Sequence, residues 1–124
     1  MFSVDLSTRE FAGHGVVTLR GKLEVVDAPA VASHLVTATA VYGPRVILDV
    51  SGLECIDSAG LGVLVRALTR TRRSGGDLPL AGPRDVVSRV LTATGLSGVF
   101  SVFSSVEQAI RAAEEARRLH PAAW

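Results

Sequence analysis

The stretch Val46-Ile47-Leu48-Asp49-Val50-Ser51-Gly52-Leu53-Glu54-Cys55-Ile56-Asp57-Ser58-Ala59-Gly60-Leu61-Gly62-Val63-Leu64 decides how the rest of this chain is read. From Arg45 to Val50 it is nearly continuous in aliphatics, the pattern of a strand flanked by parallel neighbours, which places it at the centre of a sheet. From about Ser58 to Arg73 it reads as a helix, with Leu61, Leu64, Val65 and Leu68 at i, i+3, i+4 and i+7. Ser51 to Ile56 reads as the loop between them, and Gly75-Gly76 ends the helix.

Working outward, Val16 to Leu19 is a β-rich run that stops at Gly21. Phe2 to Glu10 supplies an edge strand turned back on it at Gly13-His14-Gly15. Asp27-Ala28-Pro29 puts a capping residue and a proline ahead of a helix that closes near Tyr42-Gly43-Pro44. Beyond the central segment come a short strand at Leu78 to Ala81 and a helix from about Arg84 to Thr94, with Val86, Val87, Val90 and Leu91 inward and Gly95 closing it. Val99 to Phe103 is a last strand. Ser105-Val106-Glu107-Gln108 then opens a helix that runs to about Leu119. Strands separated by helices predict an α/β fold: a mixed, mostly parallel central sheet of four to five strands with about four helices.

The chain's 124 residues fall below the ~150 often allotted to one domain, so a single domain over residues 1–119 is expected, with a fraying tail at 120–124. Hydrophobic residues make up 48%, ample for a core, and this excludes intrinsic disorder for the body. Twelve arginines and Lys22 stand against 12 acidic residues, a net charge of +1 that gives no field to attract nucleic acid. Cys55 is alone, so no internal disulfide forms, and no Cys/His cluster suggests a metal. Neither a basic leader nor about 18 uninterrupted apolar residues occurs, which reads as a cytoplasmic protein.

Chemistry is most readily sought where the central strand meets its helix, because functional loops gather at the carboxyl ends of parallel strands. Ser58 sits where the helix begins, beside unpaired backbone N–H groups and the positive end of the helix dipole. A phosphoryl group there would be stabilised, adding about −1.5 to −2 charges to the surface. The alternative is that Asp57 or Ser58 is an ordinary helix cap. Arg66, Arg70 and Arg73 form a basic stripe that either meets an acidic partner or is simply solvated. Cys55 reads as a redox sensor or as a small loop-anchoring hydrophobe.

Catalytic readings find little apparatus. Ser58 lacks the GxSxG setting of a nucleophile elbow, and His14, His34 and His120 fall in a turn, a helix and a tail. Gly60-Leu61-Gly62 has Val65 where a dinucleotide fingerprint needs glycine, and Gly21-Lys22-Leu23 lacks the surroundings of a P-loop. No cofactor is expected.

The segment from Val46 to Leu64 resembles the signature of STAS-domain proteins, specifically the bacterial anti-sigma factor antagonists. Gly21-Lys22-Leu23-Glu24 with Ala28-Pro29, Gly75-Gly76, Val90-Leu91 to Thr94-Gly95-Leu96, and Val102 to Ala109 follow in the family's order, so the resemblance covers about residues 11–113. It implies a partner switch. The serine that falls at Ser58 is phosphorylated by a partner that is both serine kinase and anti-sigma factor. The unphosphorylated protein binds that partner and frees the sigma factor, and a serine phosphatase reverses the modification. The resemblance places Asp57, Ala59 and Gly60 with Ser58 on the partner-binding face, and beside them on that face the turn after the second strand, with Gly21, Lys22, Glu24 and Asp27. Glu24 stands where the family often has aspartate. Arg66 joins this set if the basic stripe faces the partner. Pairing of the protein with itself stays open, and the same family also contains a second role, a constitutive soluble subunit of a lipid transport system.

Overall fold

Residues 3–119 are described in a computed structural model of the chain. Phe2 and the expected tail at His120 to Trp124 lie outside them. Strand β1 (Val4–Phe11) turns through Ala12 and Gly13 into β2 (His14–Leu23). Both turn residues have positive φ, 52° and 79°, the two-residue geometry that matches the twist of paired strands. Two residues suffice for the reversal, so His14 and Gly15, expected in the turn, are instead paired with Phe11 and Glu10. A short 3-10 turn (Val25–Asp27) leads into helix α1 (Ala28–Tyr42), with Pro29 in its first turn, where no backbone N–H is missed. There follow β3 (Val46–Ile56), α2 (Ser58–Arg73), β4 (Leu80–Ala81), α3 (Asp85–Ala93), β5 (Val102–Phe103) and α4 (Val106–Leu119).

The strands lie in sequence order, β1-β2-β3-β4-β5, with only the first pair antiparallel. Each crossover therefore steps to the same side, and crossovers of one hand stack their helices on one face. The main core shows this: Leu35 of α1, Leu61, Leu64 and Leu68 of α2, and Val87 and Leu91 of α3 pack with Val17, Leu19, Leu48 and Val50 of the sheet. Helix α4 follows the last strand and is free of that constraint. It covers the other face, where Val106, Ala109 and Ile110 meet Val16, Ile47 and Ala81.

Further sequence expectations change. The supposed loop Ser51 to Ile56 is the second half of β3, still paired with β2. Between the pairs Thr18–Asp49 and Arg20–Gly52, and again between Gly21–Leu53 and Lys22–Cys55, β3 advances one residue more than β2. Each extra residue is a bulge that flips the facing pattern, so the alternation that advertises a strand is erased. Near the other end, Val99 lies in a turn and β5 is only two residues long. Val86, expected inward on α3, is 42% exposed, while its neighbour Val87 takes the core position.

The stretch Val25–Tyr42 has a mean hydropathy of 1.2, long and apolar enough by composition to cross a membrane. In the fold, Val31, Leu35 and Ala38 of this helix pack into the core of the sheet.

Leu64 is 2% exposed and central to the α2 contact. Leu64→Ala should therefore lower stability by ~2 to 5 kcal/mol, read as a shift in the urea midpoint with an unchanged slope.

Candidate functional site

At the carboxyl edge of the sheet, β2 and β3 end together, with Leu23 opposite Ile56. The next residue, Asp57, donates its N–H to the Leu23 carbonyl at 3.1 Å. Its extended backbone makes it the N-cap of α2, where Oδ1 accepts the Gly60 N–H at 2.8 Å. Its other oxygen, Oδ2, accepts the Val25 N–H at 2.9 Å. One carboxylate thus fastens the start of α2 to the turn after β2. Of the two residues weighed as the cap, Asp57 takes the role, and Ser58 is the first helical residue, exposed. The backbone N–H groups of Ser58 and Ala59, in the first turn, have no acceptor within the helix, and the dipole's positive end lies with them.

A second carboxylate holds the same edge from inside. Asp27 is wholly buried, with Oδ1 accepting from Ser3 N at 2.7 Å and Val4 N at 3.2 Å, and Oδ2 from Glu24 N at 2.9 Å. Burial alone pushes this carboxyl up, the largest single effect. The hydrogen bonds from Glu24, Ser3 and Val4 together outweigh it and leave the carboxyl below the usual aspartate value. Asp27 was expected both as the cap of α1 and on the partner-binding face. It occupies the N-cap position without capping α1 by its side chain, and no partner can reach it. Its three donors are Val4 at the start of β1, Ser3 just before it and Glu24 just after β2, so its role is to tie those segments together.

The remaining expected residues divide by exposure. Ser58, Lys22 and Arg66 are exposed, Asp57, Ala59, Gly21 and Glu24 are half-buried, and Gly60 is buried. A Cβ on Gly60 would stand 2.6 Å from Leu23 Cγ and 2.8 Å from the Leu23 carbonyl oxygen, so only glycine lets α2 start this close to β2. At Gly21, φ is +90° and a Cβ would meet the Ser3 carbonyl oxygen at 2.7 Å. This glycine shapes the backbone rather than offering a side chain. Arg66 lies two turns beyond Ser58 on one helix face, with Gly62 between, and its guanidinium folds back over the bare Gly62. In the stripe, Arg66, Arg70 and Arg73 are exposed, while Arg72 pairs with Asp77 at 3.1 Å. Cys55 is a half-buried free thiol in β3.

Two residues within the turn expected beside Ser58, but not named among the site residues, belong here. Val25 and Val26, in the 3-10 turn joined to Asp57, are 67% and 48% exposed. The available signal was their position: two adjacent valines in a one-turn connection cannot both face inward. Among the described residues no three His, Cys, Asp or Glu side chains converge as a metal site.

A family model described as "STAS domain" matches residues 5–109. A Thermotoga maritima protein named "Putative anti-sigma factor antagonist" is 36% identical over 74 residues, 60% of this chain and 63% of that one. The chain thus matches less than two thirds of that relative's length. The anti-sigma-B factor antagonist of Listeria monocytogenes is 28% identical over 100 residues, 81% of this chain and 87% of the relative. Among solved structures, a Thermotoga maritima protein of the same description superimposes with a TM-score of 0.76 at 27% identity, covering 88% of this chain and 94% of that chain.

The hold of Asp27 on its three donors is open to measurement. Its pKa is lowered by folding, so its contribution to stability is complete above the unfolded value of about 3.9 and is lost as pH falls through the lower folded value. Asp27→Asn should cost about 1 to 3 kcal/mol at pH 7, and the gap from the native protein should narrow as pH falls below about 4. Denaturant titrations across that range check it. A gap independent of pH would show that the charge is not what matters.

Proposed function

The chain belongs to the STAS domain family, matched from the second residue of β1 to the first turn of α4, and from that premise we propose that it is an anti-sigma factor antagonist switched by phosphorylation at Ser58. The observation that carries this reading is the placement of the Ser58 hydroxyl. It stands exposed at the start of α2, on a loop fastened by Asp57, beside two exposed valines. Such a surface suits recognition: Val25 and Val26 supply apolar area, Lys22, Glu24 and Arg66 supply charge at its borders, and Ser58 supplies a neutral hydroxyl between them. In the unphosphorylated state this face binds an anti-sigma factor that is also a serine kinase, and a sigma factor is freed. A phosphoryl group on Ser58 introduces a dianion where the interface fits a hydroxyl, beside the Asp57 carboxylate. The complex then pays for desolvation and like-charge repulsion, until a serine phosphatase removes the group. The protein is read as acting in the cytoplasm, where such partners reside.

The function is one of binding rather than turnover. A nucleophilic Ser58 would need a base in reach, and the described imidazoles are engaged elsewhere. His34 hydrogen-bonds Thr8, and His14 bonds the Ala12 carbonyl at the far end of β2, about 30 Å along the strand from Leu23. The second role considered, a constitutive subunit of a lipid transport system, leaves Ser58 unmodified.

Intact and tandem mass spectrometry of the protein from its own host, with and without stress, should find one phosphoryl group on Ser58 whose occupancy changes. A Ser58 unmodified in every condition overturns the switch. In calorimetry against the host's candidate anti-sigma factor, Ser58→Ala should keep native affinity and Ser58→Asp should bind at least about tenfold more weakly, roughly 1.4 kcal/mol. Equal affinity of the two variants would remove the electrostatic account.

A further inference from the structure

The hairpin leaves β1 as the outer edge of the sheet, paired on one side only. Which of its groups stay open follows from two bonds of β2. Gly15 donates its N–H to the Arg45 carbonyl at 2.8 Å, towards β3, and Lys22 donates to the Ser3 carbonyl at 3.1 Å, towards β1. Even-numbered residues of β2 therefore point at β1, and the register sets opposite them Asp5, Ser7, Arg9 and Phe11, which use their backbone groups there. The N–H and C=O groups of Leu6, Thr8 and Glu10 point away from the sheet and have no partner among the described residues. Only at its start is the edge closed, where Asp27 takes the Val4 N–H.

An open edge is a template for another strand, and folded proteins usually blunt it with proline, a bulge, lysine or short length. Strand β1 has none of these: its eight residues run in unbroken register without proline, glycine or lysine. Charges on an edge also deter pairing, unless they meet their opposites. The solvent face of β1 carries one of each sign. Asp5 lies directly across from Arg20, but Arg20 turns away over Gly52, where a Cβ would meet its Cγ at 2.9 Å. Arg9 faces Val16 and rests over the Phe11 ring, 5.6 Å from its centre. Neither Asp5 nor Arg9 forms a salt bridge among the described residues. Four residues apart in an extended strand, they stand about 13 Å from each other, too far to pair.

We propose that β1 is an interface between two copies of this chain, its free edge joining antiparallel to that of a second copy about a two-fold axis at Ser7. In that register Leu6 and Thr8 of one protomer exchange backbone bonds with Thr8 and Leu6 of its partner, and Asp5 and Arg9 stand opposite Arg9 and Asp5. A slip of two residues either way sets Asp5 opposite Ser7 or Phe11 and Arg9 opposite Ser3 or Ser7, leaving both charges unpaired. A slip of one sets outward-pointing backbone groups against inward-pointing ones. The strand is thus its own complement in a single register, which is what selects a second copy over an unrelated strand. Leu6, half-buried at the rim of the main core, is covered by the partner's Thr8. Because the same patch serves both protomers, the pairing closes at two and does not grow into a fibre. The proposal does not rest on the reading of Ser58.

Sedimentation velocity of the full chain over a concentration series should show a reversible monomer–dimer equilibrium. Asp5→Arg and Arg9→Asp, each alone, should weaken the dimer at least about fivefold, since symmetry makes each reversal count twice. Mixed in equal amounts, the two variants should associate with each other about as tightly as the unaltered chain with itself, because each then meets its opposite charge at both contacts. Both positions are exposed, and circular dichroism checks the fold. A second readout needs no variant: as concentration rises, hydrogen-exchange protection should grow most at the N–H groups of Leu6 and Thr8, which are open in the monomer. A chain still monomeric at roughly 1 mM overturns the proposal and leaves the edge to a strand of another protein. A dimer indifferent to the reversals, a mixture that fails to restore it, or protection that grows elsewhere instead overturns it as well.

Discussion

Where strands end, backbone N–H groups lose their ladder partners, and at the carboxyl edge of this sheet two carboxylates take them up. Asp57 accepts from Gly60 and Val25, and Asp27 accepts from Ser3, Val4 and Glu24. Among the described residues neither forms a salt bridge. Three segments distant in sequence, the start of β1, the turn after β2 and the start of α2, are drawn together by these five bonds. The pair of acids divides the work by depth. Asp27, inaccessible to solvent, secures the inner face of the turn, and Asp57, nearer the surface, secures its outer face. Without them the exposed valines and Ser58 would sit on separate mobile loops rather than on one surface.

The order of strands has a second consequence. Because each crossover steps the same way, α1, α2 and α3 crowd one face and leave the other to α4 alone. A single helix covers a twisted five-stranded sheet incompletely. The spare space accumulates under the alanines of α4, and the outer side of the β1–β2 hairpin stays open, with Arg9 stacked over Phe11. The two faces therefore differ in how tightly they are built, and the looser one is remote from the loop that carries Ser58.

Much of this was legible in the residues. The period of Leu61, Leu64 and Leu68 gave the buried face of α2, and Asp27-Ala28-Pro29 marked the start of α1 to the residue. What was hidden was hidden for physical reasons. Two bulges in β3 switch its facing pattern twice, so Ser51 to Ile56 shows no alternation while remaining a strand. A tight turn at Ala12 relies on a non-glycine residue at positive φ, which local propensity argues against. Asp27 looked like a surface acid because charged residues rarely lie in the interior, and nothing near it in sequence reveals donors 23 and 24 residues away. For His14, the glycines on either side suggested a turn, while its actual neighbours come from β3 and α4.

The contact between Gly60 and Leu23 leaves no slack at the base of Ser58. Helix α2 begins in van der Waals contact with the end of β2, and its first turn is bonded to Asp57 on one side while Leu68, two turns on, is sealed in the core. The serine cannot be pulled out as an extended peptide without dismantling the sheet edge. An enzyme acting on it has to approach an intact helical corner with an open, shallow cleft, and would read a folded epitope instead of a linear consensus. Under the modification proposed for Ser58, the folded state itself becomes the credential, and a misfolded or newly synthesised chain carrying the same serine would be passed over.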